Sequence, residues 1–238
     1  MLNFGFWTKD TRKPVPAQEN LCKFFANVAE LENAEFALDV GSGLSAPAIL
    51  WRNIYEKLNL CCLNININQL RFSGPEKNLE FLNSTSTALP FADNSFDRVL
   101  ALESSQHFKP FENFILESKR ILKKSGLLVV ALPVVVSDVS LRKLGILKFT
   151  WSSEHYDLSS VRDSIVSNGL TITDEILVGG NVYEPLADYY VNNRGYLKKL
   201  IRQKYPDYVE QILYKSILKM KRASQEKIID YVILKSKP

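Results

Sequence analysis

Two kinds of residue in this chain have types and spacing suited to chemistry. The segment Phe36-Ala37-Leu38-Asp39-Val40-Gly41-Ser42-Gly43 runs an apolar stretch into two glycines separated by one residue. Glycines at 41 and 43 let a backbone approach a ligand where a side chain would collide. Asp39 stands two residues before the first glycine, where its carboxylate would face that ligand. The second kind is proton carriers. Histidine takes and gives a proton near neutral pH, which makes His107 the first candidate base. Glu103, four residues earlier, could touch a ligand or orient the base, and His155 could line an acceptor pocket. Each has a plainer alternative: His107 packed beside Phe108, Glu103 as an exposed strand-end acid, His155 as a surface-loop residue.

Charge decides which ligand the glycine turn suits. A dinucleotide site wants Gly-x-Gly-x-x-Gly, with pyrophosphate at a helix N-terminus, and Ala46 in the third position is small enough. The carboxylate of Asp39 would repel pyrophosphate. It suits S-adenosylmethionine, whose ammonium and sulfonium are both positive. Methyl transfer from that cofactor is an in-line displacement in which the protein mainly positions the reactants and excludes water.

No metal chemistry is expected. The chain has two histidines, so a multi-histidine site is ruled out on count, and Cys22, Cys61 and Cys62 lack Cys-x-x-Cys spacing. Adjacent Cys61 and Cys62 fall in an apolar run, where neighbouring strand side chains point to opposite faces. They read as buried thiols of a reducing compartment, which places the chain in the cytoplasm.

These residues need elements to position them. The 238 residues, 46% hydrophobic and 24% charged, suit a single soluble domain spanning residues 1–238. The longest strongly apolar run, 127–136, is about half of the ~20 residues a membrane helix needs, so no membrane span is expected. Short apolar runs at 36–40, 60–64, 79–83, 97–102 and 127–132 read as strands, with helical patterns at 47–58, 69–72 and 111–122 between them. Such alternation predicts an α/β, Rossmann-like doubly wound parallel sheet. Lys123-Lys124-Ser125-Gly126 is expected to close a helix, with Gly126 at positive φ. Asp157 or Ser159 would cap a helix ending near Asn168-Gly169, and 170–178 is a sixth strand. Gly179-Gly180 is expected to break that strand. Helices near 185–204 and 206–223 follow, and 228–235 is the seventh strand. The stretch 179–224 is expected to form a helical lid over the substrate mouth.

Several segments, in the expected order, resemble class I S-adenosylmethionine-dependent methyltransferases of the small-molecule branch, such as the rebeccamycin- and erythromycin-type sugar and natural-product enzymes. Asp39-Val40-Gly41-Ser42-Gly43 is similar to their first motif, with Ser45 where a further glycine is usual. Cys62-Leu63-Asn64-Ile65-Asn66 and the following Gln69 resemble the second-strand motif. Leu89-Pro90-Phe91-Ala92-Asp93-Asn94-Ser95-Phe96-Asp97 resembles the branch signature, with Thr85-Ser86 where an Asp-Ala pair usually precedes it. Residues 101–108 are similar to the fourth-strand motif, and Asn3-Phe4-Gly5-Phe6-Trp7 to a segment that folds over the cofactor. The resemblance implies the class I methyltransferase fold, seven strands with helical lid insertions, and residues 1–30 as a cap over the cofactor. It further implies a cofactor site of Asp39, Gly41, Ser42, Gly43, Asn64, Ile65, Gln69, Thr85, Ser86, Glu103, Phe6 and Trp7. Phe6 and Trp7 could equally anchor the terminus on apolar surface.

The expected reaction moves a methyl group to an O, N or C atom of a small, natural-product-like acceptor, with oxygen favoured because His107 is available as a base. Two rivals are weighed. Basic residues between Lys198 and Lys227 suit a nucleic-acid methyltransferase, although no Asn/Asp-Pro-Pro-Tyr segment follows strand four and a solvated helix face explains the charge equally. The substitutions at Ser45, Thr85 and Ser86 would suit a non-catalytic cofactor-binding module. Self-association as a homodimer is left open.

Overall fold

The computed structural model describes residues 3–72, 79–136, 141–152 and 154–238; Met1, Leu2 and Ser153 of the segments discussed above lie outside them. In chain order the elements are α1 (Pro14–Val28), β1 (Phe36–Val40), α2 (Ala46–Ile54), β2 (Asn59–Asn64), α3 (Ile67–Arg71), β3 (Leu79–Asn83), β4 (Phe96–Leu102), α4 (Phe111–Ile121) and β5 (Leu122–Val135). They continue with α5 (Leu147–Thr150), α6 (Leu158–Ser167), β6 (Thr171–Leu177), α7 (Gly179–Asn192), α8 (Arg194–Arg202), α9 (Asp207–Gln225) and β7 (Ile229–Lys237). The seven strands form one sheet in the order β3-β2-β1-β4-β5-β7-β6. β7 runs antiparallel between β5 and β6, and the pairs from β3 to β5 are parallel.

Both faces of the central strands are covered, which explains their near-continuous apolar sequences. Leu128 to Val135 of β5 are all buried, because β4 pairs on one side and β7 on the other. One face holds a core of Leu21, Phe25, Trp51, Cys62, Tyr183 and Tyr231; the other holds Leu38, Cys61, Phe114, Leu128 and Ile165. Cys61 and Cys62 thus point to opposite faces, as alternation requires. Burial pushes the Cys22 and Cys61 thiols up to about 12, which leaves them protonated.

At four places the structure corrects or refines a local expectation. Residues 14–28 of the expected cap form α1, whose Leu21, Cys22, Phe25 and Ala26 are buried; the Trp51 indole N–H donates to the Cys22 carbonyl at 2.8 Å, joining α1 to α2. Gly126 lies within β5 and outside the positive-φ set, so the helix ends at Ile121 and the strand starts at once. β6 ends before Gly179-Gly180 as expected, but the helix expected from residue 185 already opens at Gly179. The Gly179 N–H donates to Asp230 Oδ1 at 2.7 Å, and a Cβ at Gly179 would meet that oxygen at 2.5 Å. Asn193 then divides the expected 185–204 helix into α7 and α8. The α6 cap forms as expected: Asp157 accepts from the Ser160 N–H.

Candidate active site

A cavity of about 470 Å³ opens at the C-terminal ends of β1, β2 and β4, the edge where open α/β sheets bind ligands. Its floor is the turn after β1. Gly41 (φ +75°) and Gly43 (φ +57°) both hold left-handed conformations. The N–H groups of Gly41 and Ser42 donate to the Leu63 carbonyl at 2.7 and 3.1 Å, which ties the turn to β2. The Ser104 hydroxyl donates to the Val40 carbonyl at 2.6 Å, and a Cβ on Gly41 would meet Ser104 Cβ at 2.5 Å. A Cβ on Gly43 would meet nothing within 4 Å. The first glycine therefore serves packing and the second leaves open space at the cavity wall. Ser45, also left-handed at φ +54°, caps α2 in the position where a glycine is usual.

The second wall comes from β2 and the β3–β4 connection. Asn64 is buried, and its amide donates to Gln69 Oε1 at 2.8 Å and to the Gly43 carbonyl at 3.4 Å. Ile65 is 76% exposed and lines the cavity, as do Thr85 and Ser86. The Thr85 and Thr87 hydroxyls lie 3.0 Å apart, which fixes that loop.

The third wall is the end of β4. Glu103, at φ +53°, lines the cavity and accepts from the Phe4 N–H at 3.0 Å. Burial pushes its carboxyl up to about 7, partly offset by that hydrogen bond. His107 is exposed at the mouth, in the 3-10 turn Ser105–His107. Gln106 donates to the Glu103 carbonyl at 2.8 Å.

Four predicted residues sit elsewhere, and each has a physical reason. Asp39 is 3% exposed and does not line the cavity; it lies behind the glycine turn. Its Oδ2 has no hydrogen-bond partner, and burial pushes the carboxyl up to about 7. Phe6 stacks on Phe24 with ring centroids 4.9 Å apart, and Trp7 packs on Tyr189 at 5.6 Å. Both hold the N-terminal segment to helices outside the cavity lining. Asn3 of that segment reaches the cavity instead. His155 also lies outside the lining, with Nε2 3.4 Å from the Leu147 carbonyl and its ring beside Trp151. Sequence reasoning missed Asn3; only its neighbourhood to the aromatic segment signalled it.

The arrangement has a definite charge. The acids Asp39 and Glu103 stand at or behind the inner wall. Lys109 is the cation in the lining, and its ammonium is exposed and paired with Glu154 at 2.5 Å. A polyphosphate would meet carboxylates and no deep cation. A ligand carrying positive charge would meet Glu103 at the wall and the field of the buried Asp39 behind the turn, so the residues present fit S-adenosylmethionine.

Comparison with known proteins agrees. Residues 38–130 match the family model described as a methyltransferase domain. The chain is 23% identical to erythromycin 3''-O-methyltransferase of Saccharopolyspora erythraea, over 91% of this chain and 74% of that one. It is 28% identical to the methyltransferase GfsG of Streptomyces halstedii, over 55% of this chain and 50% of that one. Its fold is similar to the crystal structure of the mycolic acid cyclopropane synthase CmaA1 complexed with SAH and CTAB, with a TM-score of 0.82 at 15% identity, covering 100% of this chain and 90% of that one. The relatives are small-molecule methyltransferases, and a nucleic-acid role finds no support among them. The matched domain and the relatives support an S-adenosylmethionine-dependent methyltransferase enzyme for a small molecule, on the fold that its solved neighbours share.

Proposed function

We propose that the Gly41–Gly43 cavity holds S-adenosylmethionine and that a natural-product-like acceptor enters past His107, with transfer to an acceptor oxygen. The observation that carries this is the pairing of an acidic inner wall with an imidazole at the mouth. The Gly41-Ser42-Gly43 turn takes the amino-acid end of the cofactor. Asn64 and Gln69 face the ribose hydroxyls, to which an amide can both donate and accept. Ile65 supplies an apolar surface for adenine, with Thr85 and Ser86 at its edge.

When bound, the cofactor supplies an electrophilic methyl carbon and a neutral thioether leaving group. The chain's own residues do the rest. Asp39 and Glu103 favour positive charge in the cavity, Asp39 through the turn and Glu103 at the wall. His107 takes the proton of the acceptor hydroxyl, help that is typically worth about 10²–10⁴-fold. The N-terminal segment, held by the Phe4–Glu103 bond, closes one side, and the helices of 179–224 cover the acceptor side. The buried thiols suit the cytoplasm.

The test is a transfer assay with labelled cofactor against a metabolite extract, read by mass spectrometry, with wild type and His107→Gln. The expected result is a labelled small molecule with wild type and a strong loss in the variant. A labelled product formed equally by both would remove His107 from the chemistry.

A further inference from the structure

We propose that the α8–α9 hairpin docks this chain on the surface of an anionic lipid bilayer. None of the nine residues of α8 is buried. Tyr196 (64% exposed) and Leu200 stand one turn apart on α8, and Tyr208 (61% exposed) and Ile212 stand one turn apart on α9. Tyr205 is exposed in the turn between the helices. Residues 194–205 hold five cations and no acid, against +4 for the whole chain, so the rest of the molecule is close to neutral. Arg194 and Arg202 are spent on ion pairs with Glu210 and Asp207, each at 2.7 Å. Lys198, Lys199, Lys204 and Lys215 make no ion pair among the described residues.

The combination selects the partner. A helix kept for solubility would not carry Tyr196 and Leu200 in water, and a core helix would bury them. Exposed tyrosines and aliphatics beside lysines are what the headgroup level of a bilayer takes up: rings and alkyl chains enter the interface while ammoniums meet anionic headgroups. A nucleic acid would use the cations and leave Leu200 and Ile212 in water. A symmetric second copy would set this strongly cationic patch against itself. None of these residues lines the cavity, so vesicle binding is read apart from the transfer step.

The test is flotation of the full chain with vesicles of phosphatidylcholine alone and of phosphatidylcholine mixed with phosphatidylglycerol, at low and high salt. Binding is expected to the mixed vesicles, weakened by salt. Each lysine removed near the surface should weaken it about fivefold, so Lys199→Gln loses about fivefold and Lys198→Gln with Lys199→Gln about twenty-fivefold. Leu200→Asp should weaken it further, while Lys57→Gln, in the turn before β2, should not change it. Lys57, Lys199 and Leu200 are exposed and Lys198 is half-buried, and circular dichroism checks that each variant keeps its fold. Four results would overturn the proposal: no flotation with either vesicle, equal binding to neutral vesicles, retention by polyribonucleotide without vesicle binding, or a lipid-free dimer that buries Leu200.

Discussion

Replacing Asp39 by asparagine separates its charge from its shape. In the ligand-free fold the Asp39 carboxyl is buried, has an unpartnered Oδ2 and is pushed up to about 7 from an ordinary value of 3.8. A shift of about three units corresponds to about 4 kcal/mol against the ionised form. The sign follows from linkage. An acid whose folded pKa is raised makes the unfolded chain shed its proton first, so stability falls as pH rises between the two values. The penalty is absent well below pH ~4 and complete above pH ~7, and roughly 2–3 kcal/mol of it falls between roughly pH 5 and pH 8. Asparagine lacks this dependence. Its buried amide carries a cost of its own, about 1–3 kcal/mol if left unpaired, but that cost does not vary with pH. Urea unfolding of wild type and Asp39→Asn at the two pH values therefore isolates the charge: the variant should gain roughly 2–3 kcal/mol relative to wild type on going from the lower to the higher pH. Calorimetry with S-adenosylmethionine should show the opposite preference, with weaker binding by the variant above pH ~7, where wild-type Asp39 is charged. A stability difference that stays constant across pH would refute the burial argument, and unchanged affinity would refute the role of the charge.

Three further outcomes are expected. Gly41→Ala should cost more stability than Gly43→Ala, because its methyl would overlap Ser104; thermal unfolding should place the second at about 1 kcal/mol, the cost of a left-handed alanine, and the first well above it. His107→Gln should lower kcat by about 10²–10⁴-fold with cofactor affinity nearly unchanged in calorimetry, and a parallel loss of affinity would make His107 a binding residue. Glu103→Gln should keep an acceptor for the Phe4 N–H and so keep the fold, while weakening S-adenosylmethionine binding above pH ~7, where the wild-type carboxyl is charged; equal affinity at high pH would count against it.

Where local rules act alone, the sequence was a reliable guide. The strand, glycine turn and helix around Gly41 are legible because positive φ at 41 and 43 is a backbone demand that residue type meets directly. Asn64, Ile65, Gln69, Thr85, Ser86, Glu103 and His107 all reach the cavity wall, since strand ends and the turns after them converge on one sheet edge. Tertiary contacts decide the remainder. Every residue of β1 after Phe36 is buried, so alternation could not say on which side Asp39 falls. Phe6 and Trp7 looked like ligand-covering aromatics, yet Phe24 and Tyr189 offered them protein partners instead. Gly179-Gly180 carries the composition of a breaker. It opens a helix because Asp230, 51 residues later, accepts its N–H and needs the space a side chain would fill.

The most direct test of the central claim is a crystal structure of this chain with S-adenosylhomocysteine. The account predicts the amino-acid end of the ligand at the Gly41-Ser42-Gly43 turn, the ribose beside Asn64 and the adenine against Ile65. Ligand bound away from that turn, or a pyrophosphate-bearing nucleotide taking the cavity in preference to it, would contradict the account.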